Sequence, residues 1–265
     1  MIKLISLDLD GTLLTPEGTI TAASREAIAR ARAAGLRVVI NTGRPAQESM
    51  FFAREAGCDA LSAGAGGGLV VDGASGRTVR RWDVDEGSAR RAMELCLSWD
   101  VQLLIYAGNE ILVNAAYKKF MERWYPFPAF HKAVTVTEDF LGFMAEHDLP
   151  LVKIHGELGE VRPPVEELAA LPDVTLTTSS GHDFELTAGG ADKGAALAVI
   201  AERYGVPLDR CAAVGDSEND LSAFRVAGLP IAMGNAPEHV KAAAARIAPS
   251  NGEEGAAWAV LSCLE

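Results

Sequence analysis

Residues 1–14 read MIKLISLDLDGTLL. An apolar run, Ile2 to Leu7, reads as a buried strand and ends in two carboxylates one residue apart, Asp8 and Asp10, followed by Gly-Thr. Two like charges held that close cost free energy unless one takes up a proton or a cation sits between them. What the rest of the chain brings to this strand end decides between those outcomes.

Outward from that strand the pattern is regular. TAASREAIARARAAG (21–35) has helical spacing, a Thr to start it and a Gly to stop it. LRVVIN (36–41) is a continuous β-branched run that suits a strand buried on both faces. After TGRP a helix runs from about Ala46 to Ala56, and DALSA is a further short strand. The same rhythm returns from residue 192: DKGAALAVIAERYG as helix, CAAVGD as strand, SENDLSAFRVAG as helix, LPIAMGN as strand, PEHVKAAAA as helix, RIAPS as strand and a terminal helix. Alternation of this kind predicts an α/β core, a parallel sheet with helices on its faces. GLVVDGASGRTVRRW (68–82) reads as a hairpin. The segment between has a different texture. Its short strands (VQLLIY, EILVNA, AVTV, LVKIHG, VTLTTS, DFELT) and interposed helices predict an inserted α+β module. The expected organisation is a core of residues 1–82 and 187–265 with an insert of 83–186.

Composition narrows the function classes. The 265 residues carry 24 Lys plus Arg against 36 Asp plus Glu, a formal charge of −12, which argues against binding nucleic acid through its phosphates. A local cation can still override the net field for a small phosphorylated substrate. Cys58, Cys96, Cys211 and Cys263 are far apart with no C-x-x-C, so reduced core thiols in a cytoplasmic protein are expected rather than a zinc site or disulfides. No signal peptide or membrane span is read in the chain. A monomer or weak dimer is expected.

Four polar pieces fall at the carboxyl ends of the core strands or at the helix start beside them: DLDGT (8–12), NTGRP (41–45), DKG (192–194) and GDSEND (215–220). Open parallel sheets bind ligands in the crevice beyond those ends. Singly, each has a plainer reading: an Asp-Gly turn, Thr42 as a helix cap, a surface lysine, and Asp216 or Ser217 as a cap with acidic residues in the first turn. Lys193 sits in the first turn of a helix, where the dipole disfavours a cation and a bound anion would relieve the conflict. Together they read differently. Asp8, Asp10, Asp216 and Asp220 at one sheet edge repel one another unless a hard divalent cation, Mg2+ in a phosphate site, is shared among them. Carboxylates, the Thr42 hydroxyl and the Lys193 ammonium around such a cation are equipment for phosphoryl transfer.

In this order the four pieces resemble the motifs of the haloacid dehalogenase (HAD) superfamily. The insert resembles the cap of Cof-type, subfamily IIB members, and SSGHDFELTAGGADKGAAL and GDSENDLSAF…MGNAPEHVKAAA are similar to the Cof-type tail. The resemblance covers nearly the whole chain. It implies a HAD-like Rossmannoid core and a Mg2+-dependent phosphatase for small phosphorylated metabolites, with sugar phosphates as substrates. It implies Asp8 as the nucleophile that becomes an aspartyl-phosphate, and Asp10 as the acid for the leaving oxygen and then the base for water. It implies Thr42, the Gly43 amide, Lys193 and Asn219 as phosphate ligands. The implied Mg2+ site comprises the Asp8 carboxylate, the Asp10 main-chain carbonyl and Asp216, with Asp220 orienting that shell through water. The alternatives are a phosphomutase of the same superfamily and a non-catalytic small-molecule-binding module on the same fold. By resemblance, dehalogenases and phosphonatases lack an Asp at the position of Asp10, which favours phosphate esters.

SAGAGGGLVVD departs from the pattern, because Gly66 or Gly67 stands where Cof-type relatives carry an Asn. The glycine run also admits a dinucleotide-loop reading, but GAGGGL breaks G-x-G-x-x-G at its last glycine and a hairpin follows. FMERWYPFPAFHK (120–132) concentrates aromatics and prolines. Tyr125 and Phe127, with Arg44, are candidates for contact with the leaving group; internal packing or a dimer contact is the plainer reading for the aromatics, and a surface role reads equally for Arg44. Lys153, His155 and His182 are further candidates, for each of which ordinary surface or a satisfied core position is the plainer reading.

Overall fold

The computed structural model describes residues 1–265 other than 100, 125–127, 159–162 and 179–181. Its strands, in chain order, are β1 Leu4–Leu7, β2 Arg37–Asn41, β3 Leu61–Gly64, β4 Leu69–Asp72, β5 Arg77–Arg81, β6 Gln102–Ala107, β7 Glu110–Val113, β8 Thr135–Val136, β9 Leu151–Glu157, β10 Val174–Thr177, β11 Asp183–Ala188, β12 Cys211–Gly215, β13 Leu229–Ala232 and β14 Arg246–Ile247. Tertiary contacts divide the chain into two compact units, Met1–Arg80 with Asp192–Glu265, and Arg81–Ala191. Strand β11 lies whole within the second unit, so the chain returns to the first between residues 191 and 192 rather than at 186.

The first unit is built on one sheet in the order β14-β13-β12-β1-β2-β3-β4-β5. From β14 to β3 the neighbours run parallel, and β4 turns back antiparallel to β3. The apolar runs explain the central position of β1. Leu4, Ile5 and Leu7 are fully buried, as are Val38, Val39 and Ile40 of β2, so both faces of these strands are covered. Burying each such side chain contributes about 1.5–3 kcal/mol. Helices Ala22–Ala33, Ala46–Ala56 and Gly255–Ser262 pack as one group, and Lys193–Tyr204 packs on Leu221–Val226 as another. The chain leaves β1 towards β2 and β3 on one side, and fills the other side later with β12 and then β13. The order therefore reverses at the β12/β1 border, where α/β sheets place ligands.

The second unit is a sheet in the order β10-β11-β9-β6-β7-β8, antiparallel except for β7 with β8. Its side chains alternate. Leu103, Ile105, Ile154, Phe184 and Leu186 share a core with Met93, Cys96, Phe140, Met144 and Leu168 from the helices. Tyr106, Lys153, His155, Asp183 and Glu185 point to the opposite face, as the two-residue period of a strand requires.

Candidate active site

The registers align the strand ends. Leu7 pairs with Val214 on one side and Ile40 on the other, which sets Asp8 level with Gly215 and Asn41. The Asp8 amide extends the ladder by donating to the Val214 carbonyl at 3.0 Å, and the Asp8 side chain is buried. The chain then makes a wide turn through Leu9–Leu13, closed by Leu13 N–H to the Asp8 carbonyl at 3.3 Å and Leu14 N–H to the Leu9 carbonyl at 2.8 Å.

Gly11 shows why that turn takes a glycine. Its φ is +71°, and a Cβ there would fall 2.1 Å from Asp216 Oδ2. Bare backbone lets Asp216 lie over the turn. Thr12 Oγ1 donates to Asp216 Oδ1 at 3.1 Å, and Asn235 Nδ2 donates to the Gly11 carbonyl at 2.9 Å and to Asp216 Oδ2 at 3.4 Å. Asp220 is held differently. Its Oδ2 accepts from the amides of Asp216 and Ser217 at 2.9 and 3.0 Å, which caps the turn Glu218–Asp220. Its Oδ1 accepts from Lys193 Nζ at 2.6 Å.

Lys193 opens its helix behind Asp192, whose side chain caps the amide of Ala195 at 2.7 Å. Its ammonium is buried between Asp220 and Asp8 Oδ1, the latter 2.8 Å away. Carboxylates of the chain itself thus supply the anion that a lysine in a first helical turn calls for. Asn41 Nδ2 donates to the Lys193 carbonyl at 2.8 Å and ties β2 to this helix start. Gly67 permits the approach from the third strand: its φ is +96°, and a Cβ would sit 2.1 Å from the Asp192 carbonyl oxygen. The short turn Ala65–Gly67 comes back onto the β2 loop through Gly66 N–H to the Thr42 carbonyl at 3.1 Å. No strand-to-helix dinucleotide loop forms, because β4 follows directly.

Thr42 lies one residue beyond β2, almost wholly buried, and its hydroxyl accepts from the Arg44 amide at 3.2 Å. Gly43 is half-buried beside it. Asn219 is half-buried, and its Oδ1 accepts from Ser217 Oγ at 2.9 Å. Arg44 is engaged with acidic side chains of its own unit. Its Nε and Nη2 donate to Asp10 Oδ2 and Oδ1 at 2.7 and 2.6 Å, and its Nη1 donates to Glu48 Oε2 at 2.6 Å. Tyr125 and Phe127 lie outside the described residues.

The site is short of positive charge. One carboxylate oxygen from each of Asp8, Asp216 and Asp220 lies within 4.8 Å of the other two. Burial pushes the Asp8 carboxyl well above its usual range; Lys193 opposes that shift, and Asp220 and Asp216 reinforce it. Burial and then Asp220 push Asp216 up to about 7. Burial works against the Lys193 charge, yet Asp220 and Asp8 outweigh it and hold the ammonium above its ordinary value. One lysine does not balance three carboxylates. An all-oxygen set of this kind, with two members resisting ionisation, fits a hard divalent cation.

The other sequence candidates fall in the second unit. Lys153 Nζ is buried 2.6 Å from Glu185 Oε1, and His155 Nε2 lies 3.0 Å from Glu157 Oε1. Burial lowers the His155 value, but Glu157 and Glu185 more than reverse this and raise it to about 9. Burial raises that of Glu185, and Lys153 and His155 bring it down to about 2. His182 is exposed. The sequence reading overlooked Thr12, Asn235 and Glu48. Thr12 and Asn235 carried a signal, as polar residues within DLDGT and just past β13, a further strand of the same sheet.

A family model described as haloacid dehalogenase-like hydrolase matches residues 5–260. The chain is 31% identical over 260 residues to the 5-amino-6-(5-phospho-D-ribitylamino)uracil phosphatase YcsE of Bacillus subtilis, covering 98% of this chain and 94% of that protein. It is 29% identical over 288 residues to phosphatase YwpJ of Bacillus subtilis, covering 97% and 98%. Among solved structures, a haloacid dehalogenase-like hydrolase from B. subtilis superposes with a TM-score of 0.85 at 27% identity, over 98% of this chain and 99% of that one.

Proposed function

Because the chain belongs to the haloacid dehalogenase-like hydrolases, of the Cof type, we propose that its acidic strand ends form a Mg2+-dependent site that hydrolyses phosphate monoesters of sugars or polyols. One observation carries the reading: the Asp8 carboxylate meets a buried ammonium at 2.8 Å within a cluster of carboxylates at the switch point of a parallel sheet. A neutral or purely structural sheet edge has no use for that concentration of charge.

In this reading Asp8 is the nucleophile. One of its oxygens bonds to phosphorus as the bond from phosphorus to the ester oxygen breaks, and Asp10 gives its proton to the departing oxygen. Water then attacks the aspartyl-phosphate and passes a proton to Asp10. Inorganic phosphate leaves and both carboxyl groups are restored. Thr42, the Gly43 amide, Lys193 and Asn219 hold the phosphoryl oxygens. The Asp8 carboxylate, the Asp10 main-chain carbonyl and Asp216 would hold Mg2+, with Asp220 steadying Asp216 through the shared turn. When bound, the ion offsets repulsion between an anionic nucleophile and an anionic substrate. Sugar or polyol esters are favoured because one of the relatives is named for a phosphoribityl compound.

The test is phosphate release from p-nitrophenyl phosphate and from a panel of phosphorylated sugars and polyols, with Mg2+ and with chelator. Turnover is expected with Mg2+ and without any bisphosphate activator. It should be lost in Asp8→Asn while the circular dichroism spectrum shows the fold retained. Full activity of that variant, or none in the native protein, would remove the reading.

A further inference from the structure

The Arg44 guanidinium has a fixed position. Its Nη1 is bound at 2.6 Å to Glu48, which is buried, and its Cζ lies 5.3 Å from the ring centre of Phe52, also buried. Its backbone is held as well, by the Thr42 hydroxyl on its amide and by the Ala65 amide on its carbonyl at 2.8 Å. The remaining two nitrogens form a fork on both oxygens of Asp10. The Asp10 side chain is 59% exposed, and among the described residues no other side chain pairs with it. An exposed carboxylate on a turn would otherwise move freely about its side-chain bonds. Here a rigid, doubly attached fork restricts it.

We infer that Arg44, anchored by Glu48, is the positioning residue that aims the Asp10 carboxyl group at the leaving oxygen. The inference rests on the phosphatase reading above, in which Asp10 carries the proton for the departing alcohol. Each Asp10 oxygen accepts one hydrogen bond from Arg44 and keeps a second lone pair, so a proton can be carried there while the fork stays in place. Arg44 therefore acts through Asp10 rather than on the phosphoryl group, and its importance depends on how much the leaving group needs a proton. An alkoxide needs one to depart, whereas p-nitrophenolate does not.

The experiment compares kcat and KM for p-nitrophenyl phosphate, phenyl phosphate and a primary alkyl phosphate in the native protein, Arg44→Ala, Arg44→Lys and Glu48→Gln. Misaiming a reacting group costs up to about a hundredfold. For Arg44→Ala, kcat/KM, which reports phosphoryl transfer to Asp8, should fall roughly tenfold or more on the alkyl ester and stay within about threefold on p-nitrophenyl phosphate, whereas kcat includes the water step shared by all three esters and does not discriminate among them. Arg44→Lys, which keeps the charge and loses the fork, should not restore the alkyl rate. Glu48→Gln should shift the rates in the same pattern to a smaller extent, and it keeps the test open if Arg44→Ala does not fold. In an Asp10→Asn background the loss of Arg44 should add nothing. Equal losses of kcat/KM on all three esters with a raised KM would place Arg44 on the phosphoryl group and overturn the inference, as would full activity of both Arg44 variants. A native protein inactive on every ester defeats the phosphatase reading itself, which none of the Arg44 outcomes does.

Discussion

Lys193 and Asp220 meet at 2.6 Å in the interior, 27 residues apart, one at a helix start and the other in the turn after β12. Their contact couples two of the four polar pieces read in the sequence. Removing one partner of a buried pair leaves an uncompensated charge and costs about 3–5 kcal/mol. Lys193→Met should therefore lower stability by about that much and abolish turnover, as measured by urea unfolding and phosphate release. A melting temperature within a degree of the native one would show that the ammonium contributes nothing to the fold.

Metal binding should depend on pH through Asp216. Its ordinary value is 3.8 and its folded value about 7, so without metal the folded state retains a proton that the unfolded chain releases across that window. Stability from this group falls as pH rises through the window. A cation needs the ionised form, so its stabilising effect grows over the same range. The rise in melting temperature on adding Mg2+ should be larger at pH 8 than at pH 5.5, and Asp216→Asn should lose most of it. An equal rise at both pH values would contradict this.

The second unit carries its own pH signature. His155 is raised from 6.5 to about 9, so its contribution is complete below about pH 6.5 and disappears as pH climbs through 9. Glu185 is lowered from 4.5 to about 2, so its contribution holds above about pH 4.5 and is lost as pH drops towards 2. Each unit of displacement corresponds to about 1.4 kcal/mol. His155→Gln should flatten the decline in thermal stability between pH 7 and pH 10, followed by circular dichroism.

Gly67→Ala tests the packing of the β3 loop on the helix start. The substitution meets both a positive φ and an oxygen 2.1 Å from the new carbon. A loss of at least about 2 kcal/mol is expected, because the backbone must move. Since Asp192 precedes Lys193, turnover should fall with it. Unchanged stability and turnover in this variant would mean the loop yields at little cost.

Much of this architecture is legible in the amino-acid sequence. The apolar runs 2–7 and 36–41 fixed the central strands, and DLDGT, NTGRP, DKG and GDSEND lie where the parallel order brings their ends together. Pairings between side chains distant in sequence were not readable. In the sequence Arg44 reads equally as a residue of the leaving-group cavity or of the surface, and its partners Asp10 and Glu48 emerge only when the turn after β1 lies beside the loop after β2. Lys153 and Glu185 alternate with apolar neighbours in LVKIHGE and DFELTA, which gives them a common face but not their contact. That contact follows from the antiparallel register, which no local pattern states.

The place of β1 between β2 and β12 has a consequence for synthesis. A ribosome delivers Leu4–Leu7 and its first partner within about forty residues, but the second partner, Cys211–Gly215, emerges near the end of the chain. Until then one side of the innermost strand has no neighbour, and the nascent polypeptide holds Asp8 without the lysine that balances it. A circular permutant that brings residues 192–265 ahead of residue 1 should shorten that wait and fold faster.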